Sequence, residues 1–487
     1  MAVGKRGQYV QFPLLFGDGV DVKDGVYVER LPVNLLAVVF GYKGGAGYLR
    51  TFPGLTQQED VDGLSRGVHW NTVKNAPYRV MGNSLYLDGE VVDSVAGLER
   101  APMAHSTTSQ AVVYENQLVM YKYAGGREAF QNWKASDDYN GGAAEPTSFD
   151  WGDIVDVCHL RQRYIFCSKD SDLFWVSDLF NEARPDAVAP AYRAESMPDG
   201  IVAIRAWRDY VIAFGTATVE YWALTGDADQ IYQVQQSYTT QAGTYGPQTV
   251  CQFYDSFAMI TTPACGIVTI GYVSPAAGSW EDIGNNTIRR MLAGYTQEQL
   301  KTAVLEALRY EDHQLLLVHL PDRVLVYDQT ASAALGQRVW SVLKTGLYDG
   351  LYTAIDFCNE GNTITCGDRM KAIAGVLDPT TSNQYGEPQE IVCYTKVQDI
   401  SDGMLNDLEI DPGTMPGLNQ AQTIWIAATE DGAAYLAEKR IEFNRPQQWL
   451  KRSLIQKVGR VRYGIGFRIR AVGAAPCNLA KCRARVS

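Results

Sequence analysis

The sequence has 487 residues, a formal net charge of −12, 45 glycines, 28 tyrosines and 10 tryptophans, and only 20% of its residues are charged. Glycine turns between aromatic-rich stretches favour β-strands, so this composition predicts an all-β protein with room for more than one core. No stretch approaches the ~20 apolar residues of a membrane span, and the apolar run near the N-terminus is too short for a signal peptide, so we expect a soluble protein made in a cytoplasm.

The first 60 residues differ from the rest because they are rich in glycine and proline and show no regular strand pattern. This composition is typical of a linker or of a segment that wraps around another domain. We therefore predict an N-terminal arm over residues 1–60.

Residues 61–395 repeat one pattern, in which a turn signal precedes a short apolar strand that is often followed by a second one. Five anchor residues lie 47, 46, 58 and 48 positions apart: Tyr164, Val211, Phe257, Leu315 and Thr363. A β-propeller needs one four-stranded blade about every 40 to 50 residues. The spacing favours a propeller of six or seven blades, although a long β-sandwich would give similar short strands.

One segment, YTQEQLKTAVLEALRY from Tyr295, departs from the β pattern. Thr296 and Gln299 have the spacing of a helix capping box. The apolar residues that follow are spaced for one helix face: Leu300, Val304, Leu305 and Leu308. The segment predicts a helix of about three turns over residues 296–309, inserted in the propeller and packed on it.

Residues 396–487 differ from both preceding segments, because they contain alternating strands, a Gly/Pro-rich loop and a tight turn at Thr429–Gly432. Residues 439–487 hold 13 Lys plus Arg and one acidic residue, which leaves 30 basic and 54 acidic residues in positions 1–438. Residues 439–487 therefore carry a formal charge of +12, and residues 1–438 carry −24. We predict a basic C-terminal β-sandwich over residues 396–487.

The segment VGRVRYGIGFRIRAV, from Val458, has arginines at alternate positions. If it is one continuous strand, Arg460, Arg462, Arg468 and Arg470 share one face, and the apolar side chains face the core. Two interpretations remain open, a solvated face and an interface with an acidic surface of another molecule.

Motifs of common enzyme classes are absent, including GxSxG, HExxH, the Walker loop and a GxGxxG between strand and helix. The nine cysteines form no CxxC pair or zinc-like cluster, which favours buried thiols in a reducing compartment. His313 and His319 lie six residues apart without a third ligand, so a structural role is favoured. We predict no catalytic residue, metal site or cofactor.

The alternative function is a β-propeller enzyme that cleaves surface glycans. Such an enzyme needs two carboxylates about 5 to 9.5 Å apart, or a tyrosine nucleophile, at a substrate cleft. Asp137, Asp138 and Asp153 are acidic candidates, but they lie in polar loops where carboxylates usually only solvate or cap the chain. The sequence shows no convergent Arg/carboxylate set.

Several long phrases occur together and in order across nearly the whole chain. They include ERLPVNLLA from Glu29, SRGVHWNTVKNAPYRVMG from Ser65, YRAESMPDGIVAIRAWRDYVIAFGTATVEYWALTG from Tyr192, LRYEDHQLLLVHLPDRVLVYD from Leu308 and VGRVRYGIGFRIR from Val458. In these phrases the chain resembles the packaged-DNA stabilisation proteins of short-tailed phages, the tail hub or nozzle components of the head-completion family.

The resemblance implies a structural virion protein with a β-propeller and no catalytic residues. It implies a homohexamer on the tail axis, which follows the portal and its adaptor, closes the head after packaging and stabilises the packaged DNA. Implied partners are further copies of the chain, the portal-adaptor protein, a tailspike or tail fibre, and a plug or needle. The implied location is the virion tail, and the host cytoplasm during assembly. DNA would pass through the channel without sequence-specific binding.

The resemblance also suggests a role for the four arginines. In a ring of subunits their face would meet a carboxylate-rich surface of the adjacent copy or of the adaptor, where guanidinium groups pair well with carboxylates. The alternative is that the arginines line the DNA channel. We favour the first hypothesis because an arginine-lined channel would hold phosphates and slow ejection.

Overall fold

The structure is a computed structural model, and it describes residues 8–14, 20–21, 27–39, 47–131, 149–194, 196–197, 199–263, 266–273, 280–348, 350–400, 402–411, 422–443 and 452–487. Strands dominate the described residues, as the composition predicts. No described helix is long and apolar enough to cross a membrane.

Six strands precede the first propeller blade, and they belong to several different sheets. They are β1 Gln8–Phe12, β2 Val20–Asp21, β3 Tyr27–Val28, β4 Leu35–Val38, β5 Tyr48–Thr51 and β6 Gly54–Asp60. Strands β2 and β3 pair with each other and β4 pairs with β5, whereas β1, β5 and β6 also pair with strands from much later in the sequence. This segment therefore connects parts of the fold that are distant in the chain.

The first three blades are four-stranded antiparallel sheets formed by consecutive strands. Blade 1 contains β7 Ser65–Asn71, β8 Ala76–Met81, β9 Ser84–Leu87 and β10 Glu90–Ser94; blade 2 contains β11 Met103–His105, β12 Ser109–Tyr114, β13 Gln117–Lys122 and β14 Arg127–Ala129; blade 3 contains β15 Ile154–Leu160, β16 Arg163–Ser168, β17 Leu173–Val176 and β18 Ala191–Arg193.

Four further blades follow in the same way. Blade 4 contains β19 Ile201–Trp207, β20 Tyr210–Gly215, β21 Val219–Leu224 and β22 Tyr232–Val234; blade 5 contains β23 Ala242–Gly243, β24 Val250–Phe253, β25 Ser256–Pro263, β26 Thr269–Val273 and β27 Trp280–Asp282; blade 6 contains β28 Val304–Tyr310, β29 His313–His319, β30 Val324–Asp328 and β31 Val339–Leu343; blade 7 contains β32 Ala354–Glu360, β33 Thr363–Asp368 and β34 Ile373–Asp378, with β6 as its fourth strand.

The described residues thus form a seven-bladed ring, within the predicted range of six or seven. The first strands of neighbouring blades pack against each other around a central channel, and β32 of blade 7 contacts β7 of blade 1. The ring is closed by β6, which pairs with β34 so that Leu55 lies opposite Leu377. A strand from the N-terminal segment therefore completes the last blade.

Two-residue turns connect several hairpins within the blades. Glu115 and Asn116 both have positive φ, at 46° and 61°, and Arg161 and Gln162 have 51° and 66°. Positive φ at both central positions is the geometry whose twist matches antiparallel strands. The strands on either side are apolar on both faces because each blade packs between two others, as the complete burial of Phe166 illustrates.

The predicted helix over residues 296–309 is only partly correct. The described helices are α1 Asn286–Ala293, α2 Gln297–Lys301 and α3 Gln329–Leu335. Thr296 and Gln299 form the expected capping box at the start of α2. The helix ends at Lys301, however, and Val304–Tyr310 is strand β28, because pairing with β29 over its whole length overrides the helical spacing.

The C-terminal region forms two facing sheets. Its strands are β35 Glu390–Tyr394, β36 Gln398–Asp399, β37 Gly403–Asp411, β38 Gln422–Thr429, β39 Lys439–Phe443, β40 Ser453–Val461, β41 Gly464–Val472, β42 Asn478–Leu479 and β43 Lys481–Val486. One sheet has the order β1-β43-β37-β40, and the other has β35-β41-β38-β39 with β36 beside β41. Their shared core includes Phe12 and Phe467, whose ring centroids are 5.0 Å apart.

The propeller and the sandwich are joined through two residues between β3 and β4. Val33 bridges Val342 of blade 6 on one side and Val392 of the sandwich on the other. Asn34 is fully buried with φ +55°, and its amide donates to the Lys344 and Glu390 carbonyls and accepts from the Lys344 N–H. Blade 6 and one sandwich sheet are therefore connected by backbone pairing as well as by side-chain packing.

Candidate assembly interface

The predicted continuous arginine strand is not present. Strand β40 ends at Val461, Arg462 and Tyr463 form a turn, and β41 begins at Gly464 in the opposite sheet. The four arginines therefore fall into two pairs, with Arg460 and Arg462 at the end of β40 and in the turn, and Arg468 and Arg470 on β41 in the opposite sheet. The prediction failed because a two-residue turn preserves the alternation of side chains, so alternation alone cannot reveal it.

Arg468 and Arg470 lie on the outer face of β41, where they form ion pairs with an acidic residue of the same chain. Glu438 accepts hydrogen bonds from both, at 3.1 Å from Arg468 Nη2 and 2.7 Å from Arg470 Nη2. The guanidinium groups lie over the rings of Tyr435 and Trp425, at 4.8 and 4.7 Å from the centroids. The hydrogen bond from Arg470 is the main cause that lowers the pKa of Glu438.

Arg460 and Arg462 have a different environment at the turn end of the sandwich. Arg460 Nη2 lies 3.2 Å from Asp402 Oδ1, but the two side chains are 67% and 73% exposed, and such surface pairs contribute little. Arg462 is exposed and forms no ion pair within the described part of the chain. Of the four predicted interface residues, these two remain available to a partner.

A row of basic residues on one face does exist, but on β43 and not on the predicted segment. Lys481, Arg483 and Arg485 alternate there with buried Cys482, Ala484 and partly buried Val486. The sequence analysis did not predict this row, although KCRARV alternates as clearly as VGRVRYGIGFRIRAV. The signal that could have identified it is the matching acidic alternation in NDLEID from Asn406.

The basic row pairs directly with acidic residues of β37. Asp407 lies opposite Arg485, Glu409 opposite Arg483 and Asp411 opposite Lys481. Opposite charges at such positions stabilise a sheet and favour one alignment of its strands. The formal charge of +12 in the C-terminal segment is therefore partly cancelled within the sandwich, by carboxylates that precede residue 439.

Glu409 is the centre of this network. It accepts from Arg452 Nη2 at 2.6 Å and from Arg483 Nε at 2.7 Å, and its side chain is 8% exposed. The hydrogen bond from Arg452 is the largest cause that lowers the pKa of Glu409, to about 2. Arg483 also lies over the Tyr9 ring, 5.3 Å from its centroid, which attaches β1 to the same network.

The central channel of the propeller is lined by charged side chains that form ion pairs. It has a volume of about 840 Å³ and is lined by the first strands of the blades. Its charged groups pair across blade boundaries: Arg205 with Asp156, and Arg100 with Asp356 at 2.5 Å. Ion pairs of this kind hold neighbouring blades together.

Four of the histidines lie close to another ionisable side chain of the fold. His313 Nδ1 lies 2.6 Å from Asp328 Oδ2. His319 is buried, and its Nε2 lies 3.7 Å from Glu306 Oε2. His69 and His105 line the channel 2.7 Å apart, and burial, followed by the charge of His105, lowers the pKa of His69 to about 3. Among the described residues no group of three or more His, Cys, Asp or Glu side chains could hold a metal ion.

The acidic candidates for glycan cleavage do not form a site in the described structure. Asp153 is exposed in the loop before β15, and Asp137 and Asp138 lie outside the described residues. The eight described cysteines are free thiols, of which only Cys251 is partly exposed.

Comparison with known proteins places both domains in one family. The chain matches "Bacteriophage P22 Gp10, beta-propeller" over residues 10–382 and "Bacteriophage P22 Gp10, beta-sandwich" over residues 390–487. It is 40% identical over 480 residues to the tail hub protein gp10 of Salmonella phage P22, covering 98% of this chain and 99% of the relative.

The similarities to solved structures are weak. Hsv2 of Kluyveromyces lactis is 9% identical with a TM-score of 0.35, over 70% of this chain and 94% of that chain. The Dos1 propeller is 11% identical with a TM-score of 0.36, over 79% and 96%. The family matches over both domains are the stronger result, and they exclude the glycan-cleaving alternative because the family is structural. The chain belongs to the phage-stabilisation family of bacteriophage P22 Gp10 and is a structural, non-enzymatic protein of a phage virion tail.

Proposed function

We propose that this chain is the tail hub that follows the portal and its adaptor. Six copies would assemble around the tail axis, close the head after DNA packaging, stabilise the packaged DNA, and dock tailspikes or fibres and a plug or needle. The observation that carries the proposal is 40% identity over nearly all of both chains to a protein named as a tail hub. A match of that extent includes both domains and the segment that joins them.

The arginines support a contact between proteins in this assembly. Arg460 and Arg462 are exposed at the end of the sandwich, and in the proposal they face carboxylates of a neighbouring subunit or of the adaptor. Arg468 and Arg470, already bound to Glu438, would form a pre-organised part of the same domain's contact surface. Rigid stacked arginines lose little side-chain entropy when a partner binds.

The size of the propeller channel supports a route for the DNA outside the propellers. The propeller channel, at about 840 Å³, has the volume of a small-molecule pocket and is crossed by ion pairs. A duplex would therefore pass along the axis between subunits and not through a propeller. The formal charge of −12 favours passage without tight binding, because phosphate affinity comes from lysine and arginine contacts.

The test is the mass measured by light scattering for the purified protein alone and mixed with the phage's portal-adaptor complex, at low and high salt. We expect a free species of 53.8 kDa and the addition of six copies to the complex. A protein that does not bind the complex at any salt concentration would contradict the proposal. Release of reducing sugar from host polysaccharide, measured in parallel, is expected to equal that of a blank.

A further inference from the structure

The turn between β40 and β41 lies at one end of the sandwich. Strand β41 runs nine residues, from Gly464 at the turn to Val472, and the Ser382 N–H after blade 7 donates to the carbonyl of Ala474 at 2.8 Å. At about 3.3 Å per residue, the turn lies roughly 30 Å from this attachment.

The turn is braced on two sides and is therefore a rigid feature. The Ile400 N–H donates to the Tyr463 carbonyl at 2.9 Å, and the Asp402 N–H donates to the Arg462 carbonyl at 3.4 Å. Strand β36 pairs with the first two residues of β41, and Met404 of β37 lies opposite Arg460. A partner would meet these side chains already in place.

The exposed side chains here have the composition of a binding surface. Tyr463 is 75% exposed and Met404 46%, and both lie beside the exposed Arg460 and Arg462. Tyrosine, methionine and arginine are enriched in protein interfaces, and tyrosine and arginine often dominate the binding energy. We call these four residues the sandwich tip.

A surface of opposite charge lies on the outer edge of blades 7 and 1. Its five carboxylates are all exposed: Glu59, Asp60, Asp62, Asp88 and Glu90. The Gly89 turn brings two of them close to β6, because a Cβ at Gly89 would lie 3.7 Å from Glu59 Oε1. No described lysine or arginine forms an ion pair with these five residues, which we call the acidic rim.

We propose that the sandwich tip of one copy docks on the acidic rim of a second copy. The inference rests on the proposed function, since it names the surfaces by which subunits of the hub meet. Both surfaces are exposed in the single chain, and their opposite charges make them complementary for a contact between two molecules. A tip-to-rim contact uses two different patches, and this head-to-tail arrangement generates closed rings when the rotation closes.

A simpler explanation exists for the rim alone. Strand β6 is the outermost strand of blade 7, and acidic side chains on an open edge prevent unwanted strand pairing. That explanation does not account for the exposed tyrosine and arginines on the braced turn. It also predicts that rim charges act independently of tip charges, which an exchange of charges between the two surfaces can test.

The experiment compares four forms of the full-length protein for binding to the portal-adaptor complex at low salt, with the bound copies counted by light scattering. The forms are wild type, the tip variant R460E/R462E, the rim variant E59K/E90K and the combined variant. Melting temperatures check that each form folds. The control is R161E, which reverses a 63% exposed arginine outside both surfaces.

We expect each single-surface variant to bind at least about tenfold more weakly than wild type, the combined variant to recover most of that loss, and R161E to match wild type. Unchanged binding by the folded tip variant would overturn the inference while leaving the hub proposal intact. The inference would also be overturned if the tip variant bound weakly and the combined variant did not recover binding, because the tip would then contact the adaptor. Wild type that adds no copies would refute both.

Discussion

Glu409 illustrates how single residues determine the charge of the sandwich surface. Its carboxylate lies between Arg483 of β43 and Arg452, the residue before β40, and these two strands flank β37. Removing the carboxylate would leave two guanidinium groups close together without their shared partner. The residue therefore stabilises the alignment of three strands at once.

At this scale we predict that Glu409→Gln lowers the free energy of unfolding at neutral pH by about 1 to 3 kcal/mol, the usual cost of losing charge-assisted hydrogen bonds. The pKa of Glu409 falls from 4.5 to about 2 in the folded protein, so its contribution is complete above pH 4.5 and is lost as pH falls towards 2. Urea unfolding of both proteins between pH 7 and pH 3 checks this.

The control for this series is Glu298→Gln, which removes an 81% exposed carboxylate that pairs with Lys301. We expect it to change stability by less than about 0.5 kcal/mol. A difference between wild type and Glu409→Gln that stayed constant down to pH 3 would contradict the assignment.

At the scale of elements, β1 shows how the N-terminal segment contributes to a distant domain. Its five residues pair with β43 and complete one sheet of the sandwich. Phe12 is 1% exposed and packs edge-on against Phe467 of the other sheet. The predicted N-terminal arm therefore includes a residue of the C-terminal core.

We expect Phe12→Ala to destabilise the protein by about 3 to 5 kcal/mol, since it removes a buried aromatic side chain and leaves a cavity between the sheets. Phe180→Ala is the matched control, because that phenylalanine is 94% exposed and its loss should cost less than about 0.5 kcal/mol. The measurement is the denaturant midpoint of each variant. Equal midpoints for the two variants would show that β1 is not part of the core.

At the scale of the whole molecule, the propeller and sandwich behave as one connected structure. Strand β6 closes the ring, β1 completes the sandwich, and Val33 and Asn34 join blade 6 to β35. Asn34 suits its position because asparagine tolerates positive φ better than most residues and its amide satisfies buried backbone groups. The two domains are therefore separate in the sequence but connected in the structure.

We predict that Asn34→Ala destabilises the protein by roughly 2 to 4 kcal/mol, because it leaves buried backbone groups of Lys344 and Glu390 unpaired and strains the backbone. Asn75→Ala is the control, since Asn75 has a similar φ of 52° but is exposed. Thermal unfolding measures both variants. If both lose the same stability, the amide contacts between the domains contribute nothing.

Much of the architecture could be predicted from the sequence because local patterns carry it. The repeat of turn and apolar strand indicated a propeller, and the capping box at Thr296 and Gln299 marked the start of α2. The end of that helix could not be predicted from the local pattern of residues. Leu305 and Leu308 fit a helix face, but both are buried in β28, whose form depends on pairing with β29.

The sequence by itself determined the all-β class, the basic C-terminal region and the family, because composition, charge and long ordered phrases do not depend on how strands pair. The tertiary structure alone decided that seven blades close through β6, that β43 carries the basic row, and that Arg460 and Arg462 are separated from Arg468 and Arg470. Each of these outcomes depends on contacts between residues far apart in the chain. Alternation within one segment contains no information about the strand that lies beside it.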